Sequence, residues 1–213
     1  MKTIINNLFV PTVFALGCIV GYFLDGVTLQ LPELNDASIY VLYALMLQVG
    51  FSVGYSDNFA KILHTLRPKY LLIPLATVCG TLLFSAAVSL LLSHWSVAEC
   101  LAVGSGMGYY SLSSILIVQL KTPSLGIQLA TELGTIALLA NIFRELFALV
   151  GAPLFRRFFG KLAPITVAGV TSVDVALPSI MRASGKEMIP IAIFHGILID
   201  MSVPFFISFF CSL

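Results

Sequence analysis

The chain has 213 residues, 59% of them hydrophobic and only 10% charged, with a net charge of +1. Soluble domains hold about 45–50% apolar and about 25% charged residues, so a water-soluble globule is excluded. The near-neutral balance also excludes the long-range field of a nucleic-acid binder.

Three ordinary membrane-crossing helices are predicted first, at about Leu8–Leu24, Ser38–Tyr55 and Lys69–Leu92. Each is near the roughly 20 apolar residues that span the hydrocarbon of a bilayer. Lys2 before the first apolar run resembles the start of a secretory signal, but the further apolar segments make it a membrane helix. The link Asp25–Ala37 carries only acids, whereas Ser56–Pro68 carries Lys61, His64 and Arg67. Cytoplasmic loops collect Lys and Arg, which places the second link and Met1 inside. Residues 1–96 thus read as a three-helix membrane segment, and 97–213 as a core transport segment.

The second segment is interrupted. Residues 97–120 are apolar but contain Gly104, Gly106 and Gly108, followed by Tyr109, Tyr110 and Ser111. A long helix, Ser124–Phe155, then carries Glu132, Asn141, Arg144 and Glu145. Residues 163–182 form a second interrupted element with Gly169, Thr171, Ser172, Asp174 and Pro178 at its middle. Met188–Cys211 closes the chain with His195 and Asp200. Clustered glycine and proline at membrane depth mark unwound backbone that lies in protein or lines a watery cavity.

Aligning Ala102-Val103-Gly104 with Val167-Ala168-Gly169 pairs Leu112 with Leu177, Ser114 with Ser179 and Tyr109 with Asp174, so the two halves read as a repeat. If both broken elements re-enter, Lys2, Lys61, Arg67, Lys69, Arg156, Arg157, Lys161, Arg182 and Lys186 fall inside and Lys121 alone outside. Full crossings would distribute the charges less evenly with the rule, placing Arg156, Arg157 and Lys161 outside. The fold expected is an all-α integral membrane protein of about five transmembrane helices plus two broken, re-entrant elements that enter from opposite faces as an inverted repeat.

Ionisable groups at membrane depth cost at least about 2.5–3.5 kcal/mol each, which makes them functional candidates. Arg144 and Glu145 are adjacent on a helix and point about 100° apart, so each needs a partner elsewhere. Asn141 lies one turn before Glu145 on the same face. Asp174, among Thr171 and Ser172 in unwound chain, suits an ammonium group or a proton; a helix cap is the structural alternative. The glycine-rich break exposes backbone to a ligand, and Tyr109 and Tyr110 offer ring faces to a cation. Close packing of small residues would also explain those glycines. His195 and Asp200 sit about 140° apart on their helix, so they are secondary proton candidates and not a metal pair.

Cys18, Cys79, Cys100 and Cys211 form no CxxC pair and read as small hydrophobes. No metal site, cofactor or phosphate loop is expected. Ser105 and His195 lack the Gly-x-Ser-Gly of a rhomboid-type protease, and Asp174 lacks the Gly-x-Gly-Asp of a presenilin-type one. The chain reads as a transporter and not an enzyme; a cation-conducting channel, or a structural subunit of a hetero-oligomeric transporter, is the rival reading.

The stretch Gly104-Ser105-Gly106-Met107-Gly108-Tyr109-Tyr110-Ser111-Leu112-Ser113, the pair Arg144-Glu145, the stretch from Gly169 to Asp174 with Leu177-Pro178, and Phe194-His195-Gly196 together resemble the bacterial LysO-type lysine exporter family. The resemblance is dense over about Leu101–Phe206 and covers the last two thirds of a full-length member. It implies efflux of L-lysine across the bacterial inner membrane through an important acidic pair matching Glu145 and Asp174. It also implies about three further N-terminal helices in full-length members. A second copy of the chain or a small membrane subunit is the partner expected to supply them.

Overall fold

A computed structural model describes residues 68–213, together with Leu16, Ile19, Tyr40 and Leu47, which are helical and exposed. The predicted helices Leu8–Leu24 and Ser38–Tyr55 otherwise lie outside the described residues, as do Lys61, His64 and Arg67.

The described residues are all helical, as composition requires. A 3-10 turn, Pro68–Leu71, leads into α1, Leu72–Ser89. Helix α2, Val97–Gly104, starts on a capping box in which Ser96 Oγ accepts from the Glu99 backbone N–H and the Glu99 carboxylate accepts from that of Ser96. Helix α3, Tyr110–Phe159, bends sharply at Gly126, whose φ of 78° and ψ of 162° are not helical. Its two arms are residues 110–125 and 127–159. Helix α4, Ala163–Ala168, passes into a 3-10 turn, Gly169–Val173, and then into α5, Leu177–Ser184. Helix α6, Ile189–Cys211, ends the chain. Three stretches, Lys69–Ser89, Tyr110–Phe159 and Lys186–Cys211, are long and apolar enough to cross a membrane.

Both interrupted segments are interrupted in the fold. The first breaks over residues 105–109 and the second over 169–176. The alignment that pairs Gly104 with Gly169 and Tyr109 with Asp174 therefore superposes break on break. One boundary moves. The end expected near Lys121 does not occur there: Lys121 is buried within helix, Thr122 Oγ1 bonds back to the Val118 carbonyl, and the chain turns only at Gly126. Pro123 is accommodated in the arm, and the residue that can adopt positive φ sets the bend.

Each broken element doubles back on itself. Cys211, at the end of α6, lies within Coulombic reach of both Glu99, in the first turn of α2, and Lys121, near the end of the 110–125 arm. The two ends of the first element therefore share the C-terminal end of α6. Lys161, just before α4, forms an ion pair with Glu187, just before α6, at 3.0 Å. The two ends of the second element therefore share the N-terminal end of α6. A helix of 23 residues is about 35 Å long, so the bases of the two hairpins are separated by roughly a membrane thickness.

Their tips meet between. The Val170 N–H donates to the Met107 carbonyl at 3.0 Å. A core of Ala102, Met107, Leu112, Leu133, Val170 and Val203 packs on the first hairpin's side. A second core, with Ile73, Ile165, Ala168, Ile180 and Ile191, packs on the other.

This arrangement sorts charge. Lys161, Arg182 and Lys186 lie at the second hairpin's base, and Arg156 lies within Coulombic reach of Glu187 there. Lys69 precedes Tyr70 and Ile73, which pack into the same end. Lys121 lies at the opposite end with Glu99. Single cysteines at Lys61 and Lys161, in a cysteine-free background, are expected to react with an impermeant thiol reagent from one side of the membrane, and one at Ser124 from the other. Labelling of Lys161 and Ser124 positions from the same side would contradict the double-hairpin fold.

Candidate functional site

The meeting tips collect acids. Asp174 lies where the 3-10 turn ends, with φ −134° and ψ −86°, and its carboxylate accepts from the following Val175 N–H. Glu145, from the 127–159 arm, and Asp200, from the middle of α6, each lie within Coulombic reach of Asp174. Tyr109 faces Asp200 and Asp174, and Tyr110 faces Glu145 and Asp174. Among the described residues, Glu145 Oε2 and Asp200 Oδ1 are buried without a hydrogen-bond partner, while Asp174 is exposed. The arrangement therefore brings together Glu145, Asp174, Asp200, Tyr109 and Tyr110 from four different stretches of chain. Ser111 is half-buried in the first turn of the helix that follows Tyr110.

Arg144 is turned elsewhere. Its Nε donates to the Val167 carbonyl at 3.0 Å, Nη2 to the Thr166 carbonyl at 3.1 Å and Nη1 to Thr81 Oγ1 at 3.3 Å. A cation on the last carbonyls of α4 satisfies acceptors that have no partner in the helix and complements its dipole. Its three donors hold α1, α3 and α4 together, and among the described residues its hydrogen-bond partners include no carboxylate. The adjacent Glu145 faces the acids, as the 100° step between neighbours requires.

Asn141 performs the matching task at the first break. Its Oδ1 accepts from the Gly108 N–H at 2.7 Å, and its Nδ2 donates to the Ala137 carbonyl at 2.8 Å and to Ser113 Oγ at 3.3 Å. A buried amide so satisfied fixes unwound backbone that no helix ladder supports. The glycines divide by role. A side chain at Gly104 would run into Ser85 of α1, and one at Gly106 into the Asn141 amide. Gly108 and Gly169 have φ of 100° and 63°, and a side chain on either would meet the backbone of the other tip. Pro178 stands in the first turn of α5, where its missing N–H costs nothing.

Thr171 and Ser172 are buried, and their hydroxyls bond the carbonyls of Ala168 and Gly169 within the turn. His195, fully buried, lies between Thr77 Oγ1 at 2.9 Å and Ser172 Oγ at 3.1 Å. Among the described residues its side-chain partners are these hydroxyls, and not carboxylates. Thr77 and Thr81 were not singled out from sequence; the hydroxyls of Thr77, Thr81, Ser85 and Ser89, one turn apart on a mostly apolar α1, were the available signal.

An apolar crevice of about 900 Å³ lies between α1, α2, α3 and α4 on the Arg144 side, lined by Phe84, Trp95, Phe143 and Phe147. None of the three clustered acids lines it. Among the described residues there is no group of His, Cys, Asp and Glu fit to hold a metal ion. Cys79, Cys100 and Cys211 are free thiols.

The arrangement is a set of carboxyl and phenol groups at the junction of two discontinuous helices, which suits cations and protons. The chain is 29% identical over 181 residues to the lysine exporter LysO of Escherichia coli, an alignment covering 84% of this chain and 56% of that protein. It is 30% identical over 178 residues to a putative lysine exporter of Haemophilus influenzae, covering 84% of this chain and 86% of that one. The chain thus spans little more than half of the E. coli protein's length. No solved structure matches it. The model of the family "Lysine exporter LysO" matches residues 12–211, and the chain belongs to that family.

Proposed function

We propose that this chain exports L-lysine or a related basic amino acid across the bacterial inner membrane, as a multi-pass protein, by exchange for protons. The observation that carries the reading is the cluster of Glu145, Asp174 and Asp200 at the touching tips, with two carboxylate oxygens buried and unpartnered among the described residues. Moving a cation outward against an inside-negative potential costs about 2.3 kcal/mol per charge per 100 mV, so export needs a driving ion. A desolvated carboxylate serves: it holds an ammonium group or a proton, and never both, so each arrival expels the other.

The structural parts divide the work. Glu145 and Asp174 bind and exchange, with Asp200 as the third acid within reach of Asp174. Tyr109 and Tyr110 present rings and hydroxyls beside them. Asn141 and Arg144 hold the two breaks in place from α3. A second copy of the chain, or a small membrane subunit, is the partner that this reading includes.

Inverted membrane vesicles containing the chain are expected to take up labelled lysine when a pH gradient is applied, with saturation and with competition by basic but not neutral amino acids. Lysine-independent, unsaturable conductance would replace the exchanger with a channel.

A further inference from the structure

His195 is a buried imidazole that the exchange scheme leaves without a task. Its Nδ1 lies 3.1 Å from Ser172 Oγ, and that oxygen lies 2.8 Å from the Gly169 carbonyl and 3.0 Å from the Ala192 carbonyl. A carbonyl only accepts, so the single hydroxyl hydrogen of Ser172 goes to a carbonyl, and the oxygen accepts from Nδ1–H. That leaves Nε2 as the acceptor of the neutral ring. It faces Thr77 Oγ1 at 2.9 Å, a hydroxyl that also reaches the Ile73 carbonyl at 3.0 Å. Thr77 has one hydroxyl hydrogen, so with the ring neutral that hydrogen goes to Nε2 and not to the Ile73 carbonyl, and the ring is then satisfied at both ends, one nitrogen donating and the other accepting.

The backbone is built to bring these groups together. Gly196 permits the contact: a side chain there would stand 2.8 Å from Ser172 Oγ and from the backbone nitrogen of Val173. Ser172 and Val173 are the last turn before Asp174, whose carboxylate accepts from the next amide along the chain, that of Val175. The 3-10 turn Gly169–Val173 thus has three supports from other elements: Val170 on the first hairpin's tip, and Ser172 on His195 and on the Ala192 carbonyl of α6. The charged group facing the ring is the Arg144 guanidinium, from α3.

We propose that His195 is a positioning residue, which ties the turn carrying Asp174 to α6 and, through Thr77, to α1, and does not itself carry the exchanged proton. The inference rests on the exchange reading above. Removing the tie lets the turn shift and moves Asp174 away from Glu145 and Asp200, so substrate binding weakens while proton coupling persists.

The test compares His195→Ala, His195→Gln and Thr77→Val in the full chain. In vesicle flux, His195→Ala is expected to raise the KM for lysine about ten-fold and Thr77→Val about three-fold, the scale of one or two lost buried hydrogen bonds. The maximal rate and the dependence on the pH gradient stay as in the parent. His195→Gln, whose amide both donates and accepts, recovers most of the KM. Loss of pH coupling in His195→Gln at an unchanged KM would make the ring a proton carrier and overturn the proposal. So would an unchanged KM in both Thr77→Val and His195→Ala alongside unaltered backbone exchange. Hydrogen exchange of the purified protein separates this from failure of the exporter reading. Amides in 169–176 are expected to exchange about ten-fold faster in Thr77→Val or His195→Ala, with α1 and α6 otherwise unchanged. If lysine flux is absent in the parent but that local acceleration appears, the exporter reading fails and the tie stands; if the acceleration is absent, the tie fails whatever the flux.

Discussion

Glu145→Gln and Asp174→Asn are each expected to abolish pH-driven lysine flux while leaving expression and membrane insertion intact. Both changes keep size and hydrogen-bonding capacity and remove charge and proton uptake together. Among the described residues Glu145 Oε2 is buried with no partner, and the neighbouring Arg144 spends its donors on Thr81 and on the carbonyls of α4. Neutralising Glu145 therefore breaks no ion pair among the described residues and relieves a crowd of like charges around Asp174. A stability gain with a flux loss is the signature expected. Removing one member of a desolvated charge pair costs about 2–5 kcal/mol, a thirty-fold or greater loss of substrate binding. Thermal unfolding and vesicle flux measured on the same preparations decide the matter. Flux that survives in Glu145→Gln with reduced thermal stability would make Glu145 a structural residue. pH coupling that survives in both variants would move the exchange site to Asp200.

The legible features were those that depend on one residue type in a hostile setting. Acids and glycines at membrane depth stand out against leucine and phenylalanine, so Glu145, Asp174, Asp200 and the two breaks could be read directly. Loop charge pointed to hairpins entering from opposite ends, and the ends of each hairpin do lie together. What stayed hidden is partnership. Nothing in the spacing of Asn141, Arg144 and Glu145 says that the first holds Gly108, the second caps α4 and the third faces Asp174. Those roles come from a break and a helix end that other segments deliver. The bend at Gly126 was hidden for a different reason: Pro123, the stronger breaker, sits three residues earlier and proved compatible with the arm.

Three polar anchors also explain how unwound chain persists where no water can satisfy it. Each break exposes amides and carbonyls that a helix would have paired internally, and each is met by a side chain from a neighbouring helix. Asn141 meets the first, while Arg144 and His195 meet the second from opposite sides. The acids are thereby left free of structural duty. Groups that bind and release ligand need that freedom, because a carboxylate committed to an anchor cannot exchange partners without loosening the fold.

Gly169→Ala is expected to be among the most damaging single-methyl changes in the chain. Gly169 has φ 63° and ψ −126°, a conformation that residues with a Cβ enter only at a cost of about 1–2 kcal/mol or more. The added methyl would also run into the Met107 carbonyl, the acceptor that ties the two tips through Val170. Its other neighbour is the Arg144 guanidinium, at 3.3 Å. Backbone strain and steric conflict act on the same contact, so relief of either pushes the tips apart. The expected result is a loss of about 2–4 kcal/mol in unfolding free energy, in the range of strongly disruptive single changes, together with loss of flux. Gly80→Ala is the matched control: it sits in α1, and among the described residues nothing lies within 4 Å of the added carbon. There the same methyl is expected to be neutral or to stabilise by up to about 1 kcal/mol through helix propensity. Thermal unfolding followed by circular dichroism in mild detergent, with flux on the same variants, separates the two. Equal stability and equal flux in Gly169→Ala and Gly80→Ala would show that the tips need not touch, and the junction of the two hairpins would lose its place as the centre of transport.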